Sequence, residues 1–312
     1  MVSSTAASFL AQLCAEGVSL WLDEPDAQVD PVQVLMESRL DSPPGFSGFV
    51  ASPETTLPTI RAVCDALRPA FEETGGLMGR TSVGLAPWAA HDSAGLVAAA
   101  RAVVREVERP NLLVRLPATP AGLEALSACL GLGIAVHIAD VYSAGQYARV
   151  LTSYLAGMEQ ALANGVGLAR LAFTASVPVG LLDDTADALL DRHPAPPSAP
   201  LRHQAGATVA RLAYRERELA LSSHWWRVLR SADAPLPLLA WTRTRPRHLG
   251  ALVGGNTVLA VSLATLETAA REVQLCGDTL LGTHEQAART ADTLQTHGVD
   301  LSELGTALEA RL

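Results

Sequence analysis

One charged side chain interrupts an apolar run near the middle of the chain. Arg115 lies within Leu112–Leu116, and the run ends in the turn Pro117-Ala-Thr-Pro120. An apolar run bounded by a proline-rich turn is typical of a buried strand that ends at a loop. A buried cation is costly unless it is paired or has a function. Arg115 therefore predicts either a buried ion pair or a binding site for an anionic oxygen.

The basic residues limit the chemistry that such a site can perform. The sequence has 23 basic residues and contains no lysine, so all of them are arginines. A guanidinium stays protonated and offers no neutral amine for imine formation with a carbonyl substrate. Catalysis through a lysine imine is thereby excluded.

Proton-transferring side chains follow other short apolar runs. Asp23 ends the run from Gly17, while His137 and Asp140 lie at the end of a run that begins at Ile134. Carboxylates and imidazoles at such positions are candidates for acid–base catalysis. Each also has a structural interpretation: Asp23 pairs with Arg115, His137 is a hydrogen-bonded core residue, and Asp140 caps a helix.

The elements that must position these residues alternate between strand and helix patterns. About eight strand-like runs are separated by helical periodicity, which favours a single α/β domain over residues 1–312, a parallel (β/α)8 TIM-type barrel with extra terminal helices. No GxGxxG motif follows the first run, which disfavours a doubly wound open sheet. The predicted strands are Gly17–Asp23, Gly45–Ala51, Thr81–Leu85, Leu112–Leu116, Ile134–Ile138, Leu168–Ala175, Leu236–Trp241 and Thr257–Val261.

Two further segments have distinct patterns. A proline-rich segment at 193–200 indicates a surface connection, because the strand–helix alternation resumes after it. The pattern from Gln204 to Arg230 predicts one long helix.

Composition excludes several classes of protein. The formal net charge is −9 and no dense basic run offsets it, so we expect no nucleic-acid binding. No apolar stretch reaches the ~18 residues of a membrane span, and no signal peptide is recognisable. Four scattered cysteines indicate reduced core residues, and we expect a cytoplasmic protein.

Several segments, in matching order, resemble the transaldolase family. They are GVSLWLD from Gly17, PWAAHDSAG from Pro87 with His91 and Asp92, Arg109-Pro-Asn-Leu, Pro117-Ala-Thr-Pro, SAGQYARVLTSYLAGMEQ from Ser143 and RLAYRERE from Arg211. The resemblance implies a TIM-type barrel and places Asp23 at the aspartate that takes part in proton transfer. It also places Arg115 at the Schiff-base lysine and Gly84 at a glutamate.

The sequence also departs from the family on the later predicted strands and on the turn after the second predicted strand. The resemblance implies that Ser52 replaces an asparagine, that Ala139 replaces a water-positioning threonine and that His137 replaces an asparagine. Ser176 matches a residue that holds the substrate phosphate, whereas the expected arginine falls on Gly180 or Leu181. The turn Thr242-Arg-Thr-Arg245 resembles a phosphate-proximal turn, and Leu259 stands where an asparagine is usual.

Strand alternation then predicts which side chains face the barrel interior. Those expected on the inner face are Asp23, Arg115, His137, Ala139, Thr174, Ser176 and Trp241. With Trp241 and Leu259 at the mouth, we expect a ligand that is larger and less polar than a sugar phosphate.

Three hypotheses of function remain open from sequence. The first is an enzyme that acts on a carbonyl-containing small molecule by acid–base and electrostatic catalysis, in an aldol, retro-aldol, cyclisation, isomerisation or dehydration step. A role in specialised natural-product metabolism is a guess from the lysine-free composition and the expected apolar mouth. Its predicted catalytic residues are Asp23, Arg115, His137 and Asp140, and its substrate-binding residues are Ser52, Thr174, Ser176, Trp241, Arg243 and Arg245.

The second hypothesis is a non-catalytic barrel that binds a small molecule or a partner enzyme. The third is a residual sugar-phosphate binder that uses Ser176 with Arg243 or Arg245. We expect no cofactor. We also expect no metal, because a single histidine is predicted inside the barrel. A homodimer stays open as an alternative.

Overall fold

Eight parallel strands form a closed barrel in the part of the chain described by a computed structural model, residues 3–23, 26, 29–41, 45–85, 92–192 and 201–312. Each strand pairs with the next along the chain, and the last pairs with the first. The strands are β1 Val18–Leu22, β2 Gly48–Val50, β3 Arg80–Gly84, β4 Leu112–Pro117, β5 Val136–Ala139, β6 Phe173–Pro178, β7 Leu238–Thr242 and β8 Thr257–Val261. The predicted (β/α)8 barrel is confirmed.

Helices cover the outside of this barrel. They are α1 Ser4–Ala15, α2 Pro31–Asp41, α3 Leu57–Glu73, α4 Ser93–Val107, α5 Pro120–Gly131, α6 Ala144–Ala163, α7 Val179–Leu190, α8 Ala205–Ser222, α9 His224–Ser231, α10 His248–Ala251, α11 Leu263–Glu272, α12 His284–Thr296 and α13 Leu301–Glu309. Helix α1 precedes the first strand, and α12 and α13 follow the last helix of the barrel. None of the described helices is long and apolar enough to cross a membrane.

Side-chain caps fix where several helices begin. Asp92 accepts hydrogen bonds from the backbone N–H groups of Ala94 and Gly95 at the start of α4, and Ser143 accepts one from Gln146 at the start of α6. His91, and the proline-rich connection at 193–200, lie outside the described residues.

The prediction of one long helix over Gln204–Arg230 is wrong, because this segment forms two helices, α8 and α9. Ser223 has an extended backbone, with φ −67° and ψ 153°, and its hydroxyl accepts a hydrogen bond from Trp226 N at 3.1 Å. Ser223 thus ends α8 and caps α9. A serine favours such a break because its side chain competes for nearby backbone N–H groups.

Two apolar clusters divide the buried side chains. The larger cluster fills the space between strands and helices, and the smaller one lies inside the barrel. The inner cluster consists of Trp21, Val50, Leu113, Ala172, Leu238, Ala240, Val258 and Ala260. Successive strand residues alternate between the two clusters, as a barrel requires.

This alternation corrects the prediction for Trp241. Trp241 is fully buried in the outer cluster, against the helices, and so is Leu259. Their neighbours Ala240 and Ala260 face the interior instead. Both faces of a strand in a parallel barrel are buried and apolar, so the sequence pattern does not decide which face points inward.

Candidate active site

A cavity of about 770 Å³ opens at the carboxyl ends of the strands. Barrels of this kind bind their ligands at that end, because the loops that follow the strands meet there. The cavity is lined by Asp23, Val50, Ala51, Ser52, Pro53, Glu54, Arg115, His137, Ala139, Asp140, Ser176, Gly180, Leu181, Asp184, Thr242, Arg243, Thr244, Arg245, Ala260, Ser262 and Thr265.

Of the ten predicted site residues, eight line this cavity. Thr174 does face inward on β6, but it is buried below the cavity, and Trp241 lies outside the barrel. Neither Trp241 nor Leu259, the two residues expected to make the mouth apolar, belongs to the lining, and 14 of the 21 described lining residues are polar or charged. The prediction of an apolar mouth is therefore wrong, and the support for a large apolar ligand goes with it.

Arg115 is half-buried at the end of β4. Its Nη2 donates a hydrogen bond to the carbonyl oxygen of Ala51 at 2.8 Å. Burial lowers the pKa of Arg115 from its usual value, while the charges of Asp140 and, more weakly, Asp23 oppose that shift. Even a lowered guanidinium pKa leaves the side chain charged near neutrality.

Gly84 provides the room for this guanidinium. A Cβ atom placed on Gly84 would lie 3.0 Å from Arg115 Nη2 and 3.5 Å from Arg115 Nε. Strands β3 and β4 pair these two residues in register. The space left by the missing side chain at Gly84 is thus taken by the Arg115 side chain.

Asp140 follows β5 in a left-handed backbone conformation with φ 64°. Helix α6 begins at Ala144 with Ser143 as its cap, so the interpretation of Asp140 as a helix cap is wrong. Burial raises the pKa of the Asp140 carboxyl above its ordinary value of 3.8, and the charges of Arg243 and Arg115 limit the rise. A strained backbone and a displaced pKa at a cavity are common at functional sites.

His137 lies at the floor of the cavity and is 1 % exposed. Its Nδ1 is 2.7 Å from Ser82 Oγ, and among the described residues its Nε2 has no hydrogen-bond partner. Burial, reinforced by the charge of Arg115, lowers the pKa of His137 to about 3. The imidazole is therefore neutral throughout the physiological range.

Ser52 and Ser176 contribute hydroxyl groups on opposite sides of the cavity. Ser52 Oγ is 3.1 Å from Thr55 Oγ1 in the turn after β2, whereas Ser176 is on the inner face of β6. Ser176 therefore lies at the cavity, and its role in substrate binding stays a prediction.

The turn after β7 carries both predicted phosphate-binding arginines. Arg243 is exposed with φ 51°, and Arg245 forms an ion pair with Asp184 of α7 through its Nη2. Gly180 allows this packing, because a Cβ there would overlap the carbonyl oxygen of Arg243. Arg245 is thus already neutralised by a carboxylate of the same chain.

A buried cluster behind this turn was missed by sequence reasoning. We call it the Asp183 cluster. Asp183 is fully buried and accepts hydrogen bonds from His248 Nε2 at 2.9 Å, Arg247 Nη2 at 2.6 Å and Gly206 N at 2.8 Å. His248 Nδ1 in turn accepts a hydrogen bond from Arg245 N at 3.0 Å. Burial alone would raise the pKa of Asp183, but these hydrogen bonds outweigh it and lower the pKa below 3.8.

One signal in the sequence could have located this cluster. Asp183 falls on the apolar face of α7, one residue after Leu182 and three before Ala186. A carboxylate on such a face needs buried partners.

Charges of both signs line the cavity in nearly equal number. Among the described lining residues the carboxylates are Asp23, Glu54, Asp140 and Asp184, and the cations are Arg115, Arg243 and Arg245. The cavity therefore has no surplus of positive charge for a dianionic phosphate group. The described residues also include no group of three or more His, Cys, Asp or Glu side chains placed to hold a metal ion.

Comparison with known proteins agrees with the fold. The sequence model of the family described as "Transaldolase/Fructose-6-phosphate aldolase" matches residues 51–311. "Transaldolase 2" of Streptomyces avermitilis is 34% identical over 262 residues, which cover 81% of this chain and 70% of that protein. "Transaldolase" of Mycobacterium tuberculosis is 31% identical over 339 residues, which cover 96% of this chain and 91% of that protein. On this evidence the chain belongs to the transaldolase/fructose-6-phosphate aldolase family.

Proposed function

We propose that this protein is an enzyme that acts on a small carbonyl compound without forming an imine. The observation that carries the proposal is Arg115, a cation at the carboxyl end of β4 that lines the cavity in a chain without lysine. The hydrogen bond recorded for its guanidinium goes to a backbone carbonyl, Ala51 O. Its other N–H groups are suited to binding a carboxylate or a developing enolate oxygen.

Asp140 supplies the proton transfer in this proposal. A carboxyl whose pKa is raised toward neutrality is a more effective general base than an ordinary one. In the common step, a C–H bond beside the carbonyl breaks and its proton goes to Asp140. The electron pair forms the C=C bond of an enolate, and the carbonyl π electrons move to the carbonyl oxygen. The guanidinium of Arg115, which holds the anionic end of the substrate, balances the negative charge that develops there. Asp23, which lines the same cavity and whose charge also acts on Arg115, adds a second carboxylate at the mouth.

Aldol additions, isomerisations beside the carbonyl, cyclisations through an enolate and dehydrations of β-hydroxy carbonyl compounds begin with this step, and a retro-aldol cleavage ends with its reverse. The test is therefore exchange of hydrogen for deuterium beside the carbonyl, followed by NMR in D2O with a panel that includes pyruvate, dihydroxyacetone phosphate and fructose 6-phosphate. We expect exchange with at least one compound, and a loss of about 100-fold in Asp140→Asn. Glu54→Gln is the matched control, because Glu54 is another carboxylate of the cavity lining. Equal rates in wild type and Asp140→Asn would contradict the proposal.

The absence of an imine has its own test. Treatment with fructose 6-phosphate and sodium borohydride should add no mass to the wild-type protein. The Arg115→Lys variant, which restores an amine at the position aligned with the family lysine, is expected to gain the mass of the reduced adduct. A trapped adduct on the wild-type chain would contradict imine-free catalysis.

A sugar-phosphate binder without catalysis is the second candidate. Ser176 and Arg243 at the cavity favour it, as do relatives that are named transaldolases. The ion pair of Arg245 with Asp184 and the near balance of charges argue against it. Thermal stabilisation by fructose 6-phosphate, but by none of the non-phosphorylated compounds, would favour this candidate over the enzyme.

A further inference from the structure

Three side chains from alternate strands meet beneath Arg115, inside the barrel. They are Trp21 of β1, Ser82 of β3 and His137 of β5, which we call the floor cluster. Ser82 Oγ lies 2.7 Å from His137 Nδ1, and the rings of Trp21 and His137 are perpendicular with centroids 6.0 Å apart. Of these three residues, His137 is the one that lines the cavity.

Trp21 closes the barrel below His137. Its indole packs on Gly48 of β2 so closely that a Cβ there would lie 2.6 Å from the ring. The indole thus fills the barrel interior next to His137 and is not part of the cavity lining.

The hydrogen bond to Ser82 determines which ring nitrogen of His137 carries the proton. Ser82 is fully buried, and His137 Nδ1 is the one partner recorded for its hydroxyl among the described residues. If Ser82 donates its hydrogen to Nδ1, the hydroxyl hydrogen is satisfied and the ring proton is on Nε2. In the opposite arrangement the Ser82 hydrogen, rather than a ring N–H, would lack an acceptor. Because His137 lines the cavity and Ser82 does not, we place the unpaired hydrogen on His137 Nε2.

This leaves a buried N–H donor without a partner. His137 Nε2 has no hydrogen-bond partner within the described part of the chain, and the ring belongs to the cavity floor. A buried donor of this kind is rare unless a ligand or an ordered water satisfies it. Because the pKa of His137 is lowered to about 3, first by burial and then by the charge of Arg115, the ring does not take up a second proton. It is thus poorly suited to act as the base that its sequence position suggested.

The position of His137 relative to Arg115 indicates what this donor meets. Strands β4 and β5 pair the two residues in register, and both side chains point into the barrel. Neighbouring strands are ~4.8 Å apart, so the two groups can contact oxygens on adjacent carbons of one small molecule.

We propose that Ser82 holds His137 as a neutral Nε2–H donor to an uncharged oxygen on the carbon next to the group bound by Arg115. The substrate class is then a 2-oxo or 2-hydroxy carboxylate. This inference rests on the proposed role of Arg115 as an anion anchor. In the free protein, however, the tautomer of His137 does not depend on that role. A neutral imidazole N–H can polarise a carbonyl, as it does in other enzymes.

The first experiment reads the tautomer directly. Protein labelled with ¹⁵N-histidine is observed by NMR between about pH 5 and 8, and the signal of His137 is assigned by its loss in His137→Phe. We expect the Nε2–H form over the whole range, and a mixture of tautomers in Ser82→Ala. An Nδ1–H form, or protonation within this range, would overturn the inference even if Arg115 binds anions.

The second experiment reads the oxygen that the donor contacts. Propionate, lactate and pyruvate share a carboxylate and differ at the adjacent carbon. We expect lactate and pyruvate to bind about 10-fold more tightly than propionate in calorimetric titrations of the wild-type protein. This preference should fall below about 3-fold in His137→Phe and be partly kept in His137→Asn, which retains an N–H donor. In Ser82→Ala the preference should be intermediate between those of the wild type and His137→Phe. This variant provides the test if His137→Phe does not fold.

The outcomes separate the two proposals. An unchanged preference in the His137 and Ser82 variants overturns the floor donor. Absence of binding by all three carboxylates overturns both the substrate class and the role of Arg115 as a carboxylate anchor, whatever the tautomer. Two results together support both proposals. Arg115→Met should lose the binding of all three carboxylates, propionate included, whereas His137→Phe should keep propionate binding and lose only the preference for lactate and pyruvate.

Discussion

Two groups of residues at the mouth of the barrel are built from the same side-chain types. The Asp183 cluster joins one carboxylate, one histidine and one arginine, and every polar atom of Asp183 and His248 has a hydrogen-bond partner. Arg115, His137 and Asp140 also combine an arginine, a histidine and a carboxylate. In that group His137 Nε2 lacks a partner and Asp140 has a raised pKa.

The difference separates structural from functional polar groups. In the Asp183 cluster the pKa of the carboxyl is lowered by its donors, so its charge stabilises the folded state. In the second group burial raises the pKa of Asp140, so its charge destabilises the folded state. An unsatisfied group at the cavity, such as His137 Nε2, is one that a ligand can satisfy, whereas Arg247 Nε in the Asp183 cluster also lacks a partner among the described residues but does not line the cavity.

The largest expected effect on stability is that of Asp183→Asn. Asparagine has one amide oxygen and an NH2 group in place of the two carboxylate oxygens, so it cannot accept from Arg247, His248 and Gly206 N as the carboxylate does, and it lacks the charge that pairs with Arg247. Because Arg247 is partly exposed, we expect the free energy of unfolding at pH 7 to fall by about 2–3 kcal/mol. Because the folded pKa of Asp183 is lowered, its contribution is present above the ordinary pKa of 3.8 and is lost as the pH falls below it. Urea unfolding at about pH 7 and pH 3 measures both. A loss of less than about 1 kcal/mol at pH 7 would contradict a structural role for the cluster.

Asp140→Asn should act in the opposite direction on stability. The folded pKa of Asp140 is raised, so ionisation destabilises the folded state above that pKa and has no effect below 3.8. Asparagine tolerates the left-handed conformation as well as aspartate does, so the backbone cost is unchanged. We expect higher stability at pH 7 and no change near pH 3, together with the ~100-fold loss of deuterium exchange. Reduced stability at pH 7 would show that Asp140 is paired as Asp183 is.

Gly84→Ala should have a smaller effect that depends on Arg115. The new Cβ would lie 3.0 Å from Arg115 Nη2, so the guanidinium must shift, at a cost of about 1–3 kcal/mol. In an Arg115→Met background the flexible methionine avoids the new methyl group, and we expect little further change. A double-mutant cycle by urea unfolding should give a coupling of at least about 0.5 kcal/mol. Additive effects would mean that the two residues do not restrict one another.

Arg245→Ala is expected to have the smallest effect. The ion pair with Asp184 is exposed to solvent, and such pairs contribute about 0–1 kcal/mol. Because Asp184 already neutralises Arg245, thermal stabilisation by inorganic phosphate should be almost the same in wild type and Arg245→Ala. It should increase in Asp184→Asn, which leaves Arg245 without its carboxylate. A large loss of phosphate stabilisation in Arg245→Ala would favour the sugar-phosphate binder.

Strand order, barrel closure and most cavity residues were predictable from sequence. Most strands of the barrel are apolar runs that end at a polar or proline-rich turn, and this pattern places Asp23, Arg115 and Asp140 at the same end. Strand β3, which reads Arg80-Thr-Ser-Val-Gly84, is the exception. The face of β7 was not predictable, because Leu239 and Trp241 are as apolar as Leu238 and Ala240. An error of one residue in the inward–outward alternation of β7 therefore placed Trp241 inside the barrel, although it packs against the helices outside.

The hydrogen bonds between residues far apart in the chain could not be predicted from the sequence either. Asp183 and His248 are 65 positions apart, and Ser82 and His137 are 55 apart. Neither pair has a fixed spacing that a motif could capture, since each depends on the closure of the barrel. The state of each titratable group follows from these contacts, so sequence identified candidate residues without distinguishing a satisfied group from an unsatisfied one.

The contact between Gly84 and Arg115 also bears on the order of evolutionary change. The family resemblance implies a glutamate at position 84 and a lysine at position 115, and any side chain at 84 would meet the guanidinium. A small residue at 84 therefore had to precede or accompany arginine at 115. Among divergent relatives, we expect arginine at this strand position to occur together with glycine at its β3 neighbour.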